Sequence, residues 1–423
     1  MSAQQGGMSR RSLFGLAGAG AVLAAGAGAG VGIAADRAMP TDANDVVSFR
    51  GPHQAGITTA VQDHLYFVTL DVTTTDRAEL VELLRRWTEA ADRLTTGAET
   101  ALGGAVAGHP EAPPQDTGEA LGLPPARLTL TFGIGATLFS RDGVDRFGLA
   151  AARPSKLIDM PEFAHDALDP ARSGGDLCIQ ACANDPQVAV HAVRNLVRMG
   201  FGVTAVRWSQ LGYGRTSSTV TGQATPRNMF GFKDGTHNIL AEDTAGLARH
   251  VWADRADGAA WMAGGSYLVA RRIRMAIEPW DRTSLAEQEE IVGRHKGSGA
   301  PLGAVDEFAP ADLTAVRADG RPLIGVDSHI RLASSQELGG VRILRRGFTF
   351  VDGSDARGHL DAGLFFLCFV RDPGTQFVPM QQALASRDVM MEYLVHTGSA
   401  LFACPPGVGT GGYWGQGLFE TAT

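Results

Sequence analysis

Cysteine is scarce in this chain, with four in 423 residues, and no two of them stand in the C-x-x-C spacing of a zinc or dithiol site. A basic excess is missing too, since 37 Lys and Arg stand against 45 Asp and Glu for a net charge of -8. Such a balance leaves no electrostatic footprint for nucleic acid or an anionic membrane, and small molecules or cations are the expected partners. The chain also lacks a Gly-x-Ser-x-Gly elbow, a Walker loop and a His-Glu-x-x-His helix. Serine hydrolase, nucleotide hydrolase and zinc protease readings therefore lack their minimum parts. What is present is 44% apolar and 19% charged residues with 54 glycines, the composition of a soluble globular protein rich in tight turns.

Cys178 and Cys182 fall in a stretch, Asp176 to Cys182, that reads as a strand. Four residues along a strand span ~13 Å, well past the ~7 Å limit between bridged Cα atoms. They cannot pair with each other, and all four cysteines are expected to be buried small apolar side chains.

An uncharged run from Leu13 to Ala35 follows Ser9-Arg10-Arg11-Ser12-Leu13-Phe14. That is the layout of a twin-arginine export signal, with Leu13 where Phe is more usual. A spanning helix is the rival reading, because the run is long enough. Seven glycines make that helix a poor one. Residues 1–38 are thus expected to be a signal peptide cleaved around Ala34 to Ala38, read by the twin-arginine machinery. The destination is extracellular, cell-surface or periplasmic. That route carries proteins already folded, which points to a cofactor loaded beforehand.

Asp63 to Val72 alternates apolar and polar residues as a strand does. Thr75-Asp76 then caps a helix from Arg77 to Leu94, with Leu80, Leu83, Leu84 and Trp87 at helical spacing. The same unit returns at Gly265 to Met275, followed by a helix from Leu285 to Gly293. A second pair repeats as well: Leu177 to Ala183 ends in Asn184-Asp185-Pro186, and Leu364 to Val370 ends in Arg371-Asp372-Pro373. In each, the Asp-Pro pair is expected to start a helix. The duplication predicts an α+β fold of two ferredoxin-like domains, antiparallel sheets with peripheral helices, over residues 45–220 and 221–423. The seam falls near Gly212 to Gly222. Gly103 to Pro125 and Gly297 to Pro310 are expected as surface excursions, and Gly407 to Gly412 as a tail loop.

The chemistry-bearing residues gather in the second half. Gly231-Phe232-Lys233-Asp234-Gly235 contains an Asp-Gly pair, which by itself signals only a turn. Three longer stretches change its meaning: Thr225 to Asn238 (TPRNMFGFKDGTHN), Val326 to Ser334 (VDSHIRLAS) and Arg342 to Phe350 (RILRRGFTF). In that order and spacing they closely resemble dye-decolourising peroxidases, a haem family marked by Gly-x-x-Asp-Gly and built from two ferredoxin-like halves. The resemblance covers nearly the whole chain after residue 38.

The resemblance implies His329 as the proximal ligand of haem b iron, Asp234 as the distal acid and Arg345 as the distal arginine, with Arg342 and Arg346 as competitors. Imidazole is the usual ligand of a peroxidase haem, and its other ring nitrogen is expected to bond a carboxylate or carbonyl. The motif residues Gly231, Phe232, Lys233, Gly235, Thr236 and Asn238 would border the cofactor, Thr236 and Asn238 near its propionates. Leu364 and Phe366 share a strand face and would form the distal wall. Some relatives carry Asn two positions after the distal arginine, where this chain has Gly347. The implied reaction uses hydrogen peroxide to oxidise dyes, phenolics or other organic donors by one-electron steps through a high-valent iron-oxo state. Large donors would be reached through a surface aromatic, the candidates being Trp208, Tyr213, Trp252, Trp261, Trp280, Tyr393, Tyr413 and Trp414. A haem-handling protein that releases iron, or a haem carrier, is the alternative. A metalloprotein or homo-oligomeric partner stays open.

Overall fold

The computed structural model describes residues 45–421, so the signal-peptide reading of residues 1–38 lies outside the described residues. Among the described residues, no helix is long and apolar enough to cross a membrane.

The first half runs β1 (His64–Val72), α1 (Arg77–Leu94), β2 (Thr129–Gly135), α2 (Ala136–Phe139), β3 (Leu177–Ala183), α3 (Pro186–Met199) and β4 (Thr204–Arg215). The second runs α4 (Thr244–His250), β5 (Ser266–Met275), α5 (Ile277–Trp280), α6 (Leu285–Val292), α7 (His329–Leu332), β6 (Leu344–Arg345) and β7 (Phe348–Ser354), then β8 (Leu360–Val370), α8 (Phe377–Arg387), β9 (Leu394–Cys404) and α9 (Gln416–Thr421). Local signals explain most boundaries. Asp76 accepts from the Ala78 N–H to cap α1, whose Leu80, Leu83, Leu84 and Trp87 are all buried. Asp185 accepts from Gln187 and Val188 to cap α3, with Pro186 in its first turn.

The second Asp-Pro pair behaves differently. Asp372 accepts from the Gly374 and Thr375 N–H groups, making a turn, and α8 begins only at Phe377. Gly374 and Thr375 are weaker helix formers than the Gln-Val pair that follows Pro186, so the turn stops short of a helix there.

Both halves show one strand order. In the first it is β4-β1-β3-β2, and in the second β9-β5-β8-β7, which in each case is fourth, first, third, second along the chain. The two sheets are joined at their edges, β4 to β7 and β2 to β9, and the β5–β8 pairing closes the nine-stranded antiparallel sheet into a barrel, with the short β6 added beside β8. Closure pairs edge strands that two separate sheets would expose.

Alternation along the strands divides the side chains between two cores. Leu65, Phe67, Cys178, Cys182, Phe348, Phe365, Phe402 and Cys404 fill the barrel interior. Helices α1 and α3 cover the outer face through Leu80, Trp87, Val188 and Leu196. The four cysteines are free and buried.

One carboxylate pins the first half together. Asp176 is fully buried and accepts from the Val72 N–H, Thr137 Oγ1, Arg141 Nη2 and Arg146 Nη2 at 2.6–2.8 Å. Burial works to raise its pKa, but the bonds from Thr137, Arg146 and Val72 and the charge of Arg141 hold it below the ordinary carboxylate range. A depressed folded-state value means stability that is present above about pH 4 and lost as pH falls below it. Asp176→Asn should therefore lower stability by roughly 3–5 kcal/mol at neutral pH in urea unfolding. The gap from the parent should narrow as the pH drops below 4, and an unchanged midpoint at pH 7 would contradict this role.

Candidate functional site

The Gly231 to Gly235 turn is shaped by its backbone. Asn228 N–H donates to the Phe232 carbonyl at 3.0 Å, Gly231 N–H to the Asn228 carbonyl at 2.9 Å, and Asp234 N–H to the Pro226 carbonyl at 2.9 Å. Gly235 has φ +87°, and a Cβ there would come within 2.7 Å of the Ser217 backbone, so the position needs glycine. Trp280 braces the turn from behind, its ring stacked on Phe230 at 4.1 Å and its Nε1 donating to the Phe230 carbonyl.

This turn presents Asp234 to Arg345. Arg345 Nη1 donates to Asp234 Oδ1 at 2.9 Å, and Asn228 Nδ2 donates to Oδ2 at 3.2 Å. Asn238 fixes the arginine's backbone, accepting from the Arg345 N–H at 2.7 Å and donating to its carbonyl at 2.8 Å. That amide mimics a neighbouring strand. Of the three arginines, Arg345 is the one that bonds Asp234. Arg346 points to the opposite face, fully buried and donating to the Thr59 carbonyl and Gln62 Oε1. Arg342 pairs with Asp243 at 2.9 Å.

His329 opens α7. Its Nδ1 lies 2.7 Å from Asp388 Oδ2, and Asp388 in turn accepts from the Met390 N–H through Oδ1 at 2.9 Å. The carboxylate is 1% exposed and is held at both oxygens, so it sets the ring's orientation. Nε2 has no hydrogen-bond partner among the described residues, and the side chain is 33% open, onto a cavity. Burial pulls the imidazole pKa down, but the Asp388 charge and hydrogen bond outweigh it, leaving the value above the ordinary one.

That cavity has a volume of about 520 Å³ and brings His329, Asp388, Asp234, Asn228 and Arg345 together with Phe230, Phe366 and Met390. Asp234 and Arg345 are near enough that their charges act on the His329 ring. The residues suit a haem on three counts. The volume and apolar lining match a large flat ligand. Of the three histidines in the cavity lining, His237, His329 and His396, His329 alone is clamped by a buried carboxylate with its other nitrogen unpartnered. Arg294 and Arg342 line the cavity beside Arg345, a cationic border for carboxylates. Burial first, and then Arg294, Arg345 and Arg342, push the His237 pKa below its usual value, which reports the same positive field.

Most of the residues expected from sequence line this cavity: Phe232, Lys233, Asp234, Gly235, Thr236, Asn238, His329, Arg345, Leu364 and Phe366. Leu364 and Phe366 face it while Phe365 and Leu367 fill the barrel. Gly231 does not line it; at φ +80° it serves the turn, with Lys296 Cε 2.8 Å from where a Cβ would sit. The polar groups of Lys233 and Thr236 engage Glu307, and those of Asn238 engage backbone, so these three side chains brace the site. Gly297 to Pro310 runs over the surface as expected, with Val305 and Phe308 exposed, and Glu307 adds a tie to the site. That stretch is tied to the motif through Lys233, and Pro310 reaches the cavity wall. Of the aromatic candidates, Trp208, Trp261, Trp280, Tyr413 and Trp414 are buried, Trp252 and Tyr393 are half-buried and Tyr213 is exposed. Sequence reasoning missed Asp388, Asn228 and Arg294. Only the Asp-Val-Met start of a short helix hinted at a capping role for Asp388.

Comparison with known proteins finds one family over both halves of the chain. Family models for the Dyp-type peroxidase N-terminal and C-terminal regions match residues 54–214 and 225–409. The chain is 40% identical over 382 residues to a dye-decolorizing peroxidase of Thermobifida fusca, covering 87% of this chain and 84% of that one. It is 37% identical over 388 residues to the deferrochelatase of Escherichia coli K12, covering 90% and 89%. Among solved structures, an oxyferrous complex of DtpA from Streptomyces lividans superposes with a TM-score of 0.80 at 38% identity, covering 89% of this chain and 98% of that one. With both halves matched and the relatives aligned over most of their length, the chain belongs to the Dyp-type peroxidase family, haem peroxidases that use hydrogen peroxide to oxidise organic donors.

Proposed function

We propose that the cofactor is haem b, held at its iron by His329 Nε2, and that Asp234 and Arg345 carry the proton and charge work of peroxide cleavage. The supporting observation is that one cavity gathers an imidazole with a free Nε2 and an Asp-Arg pair. Haem bound there would supply an iron that takes up the peroxide oxygen and passes two oxidising equivalents to donors one at a time.

The chain's own groups do the rest. Asp388 keeps a proton on His329 Nδ1, so Nε2 presents its lone pair and the ring stays electron-rich. Asp234 Oδ1 is engaged by Arg345 at 2.9 Å, and Oδ2, held only by the longer 3.2 Å bond from Asn228, is the oxygen that accepts a proton from one peroxide oxygen and returns it to the other. The Arg345 guanidinium stabilises the negative charge that develops as the O–O bond parts. Leu364 and Phe366 keep bulk water from that oxygen. Arg294 and Arg342 would receive the cofactor's carboxylates.

A second reading, release of iron from haem, is favoured by the deferrochelatase relatives at 37% identity. Peroxide and a dye added to the haem-loaded protein separate the two. Dye oxidation with the porphyrin intact supports the peroxidase role, and growth of iron-free porphyrin fluorescence supports the other. We also propose that residues 1–38 direct export by the twin-arginine route, with Ser9 to Phe14 as the recognition signal.

Three outcomes are expected. Asp234→Ala and Arg345→Ala should each lower kcat/KM for peroxide by about 10²–10⁴ with haem content unchanged, the usual worth of such groups. Full activity in either would contradict the assignment. Asp388→Asn should weaken haem binding or activity by about 10–100-fold, read by titrating haem into the apo-protein. Replacing Arg10 and Arg11 with Lys should retain the protein in the cytoplasmic fraction, and undiminished export would contradict the signal reading.

A further inference from the structure

We propose that Asn228 is a positioning residue for the distal carboxylate, supplying from the turn ahead of the motif the amide that Gly347 does not carry. The inference rests on the reading of Asp234 as the proton carrier. Gly347 lines the cavity, but a Cβ there would lie 2.7 Å from Thr216 Oγ1, 3.1 Å from Leu364 Cδ1 and 3.3 Å from the Phe365 carbonyl. A side chain there needs Thr216 and Leu364 to shift.

Asn228 reaches the same carboxylate from the other direction. Its side chain has one orientation open to it, because Oδ1 accepts from the Phe230 N–H at 3.1 Å. Nδ2 is thereby turned to Asp234 Oδ2, at 3.2 Å, and the side chain lines the cavity. The backbone is held as well, by the Phe232 carbonyl and the Gly231 N–H. Asp234 thus lies between a guanidinium on Oδ1 and an amide on Oδ2. The two donors differ in what they do. Arg345 contributes charge, whereas Asn228 donates a neutral hydrogen bond that is stronger to a carboxylate than to a carboxylic acid. At 3.2 Å that bond is at the long end of the normal range, so it orients Oδ2 without blocking it. When Oδ2 takes a proton from one peroxide oxygen, the amide favours the charged form and hence the proton's return to the other oxygen. Arg345, Arg294 and His329 also act electrostatically on Asp234, and His237 and Arg342 share the cavity. None of them is altered in the test that follows.

The test uses cyanide binding to the haem-loaded ferric protein, followed by stopped flow across pH. Hydrogen cyanide gives up its proton on binding, so the association rate reports a nearby acceptor independently of turnover. Asn228→Asp is the decisive variant, since its oxygen can still accept from the Phe230 N–H while the donor to Asp234 is gone. The acidic inflection of the rate profile should move up by about half to one pH unit in Asn228→Ala, the worth of one such bond. It should move further in Asn228→Asp, where two carboxylates crowd together. Haem content and the resting Soret band should match the parent, and kcat/KM for peroxide should fall about tenfold with KM for the dye unchanged. Profiles that coincide with the parent in both variants overturn the role of Asn228 while leaving Asp234 in place. A profile that keeps its inflection in Asp234→Ala overturns the underlying reading of Asp234 instead.

Discussion

The bond between His329 Nδ1 and the buried Asp388 carboxylate is the constraint on which the site depends. A ring free to turn would present either nitrogen to the cavity, and a free carboxylate could not hold it. Asp388 is anchored by the Met390 N–H at the start of a short helix and packed to 1% exposure, so the imidazole is clamped with Nε2 outward. The cavity, its apolar lining and its cationic border surround an imidazole whose orientation is fixed and whose Nε2 is left unpartnered. Asp234 and Arg345 form the matching fixed pair, each held by backbone contacts that an Asn side chain or a tight turn supplies.

The barrel makes this rigidity possible. Closing the duplicated sheets on each other leaves every strand with one face in a packed interior and the other available for building. In β8 the interior takes Phe365 and Leu367 and the cavity takes Leu364 and Phe366. Between β6 and β7 the interior takes Arg346, and Arg345 is left for the site. The two halves share a strand order but use it differently. In the first half α1 and α3 lie over the outer face and bury it in apolar contact, whereas in the second the lengthened connections between strands line a cavity. Duplication supplied the frame, and the segments Thr225 to Asn238, Gly293 to Leu332 and Phe377 to Leu394, with Arg345 of β6, supplied the chemistry.

The parts that were legible in the sequence are those written in local rules. Strand alternation found β1, capping residues found the starts of α1 and α3, β3 was read as a strand, and the return of the strand-helix unit found β5 and α6 and announced the duplication. The motif stretches located Asp234, His329 and Arg345, and period-two alternation put Leu364 and Phe366 on one face. What escaped depends on contacts between distant segments. Asp388 lies 59 residues from His329 and Glu307 lies 74 from Lys233, and neither distance along the chain leaves a pattern. The Asp372-Pro373 pair misled for a different reason, because the residues after it favour a turn over a helix. The closed barrel was likewise invisible, since edge-to-edge pairing of two sheets is a property of surfaces that no single strand encodes.

Resonance Raman spectroscopy of the reduced haem-loaded protein tests the central claim most directly, because the iron–imidazole stretch reports which nitrogen grips the iron and how firmly. The account predicts a strong stretch at the high frequency of a carboxylate-bonded imidazole in the parent, lowered in Asp388→Asn and abolished in His329→Gly, then regained when free imidazole is added to that last variant. A band that survives the loss of His329 without added imidazole would contradict it.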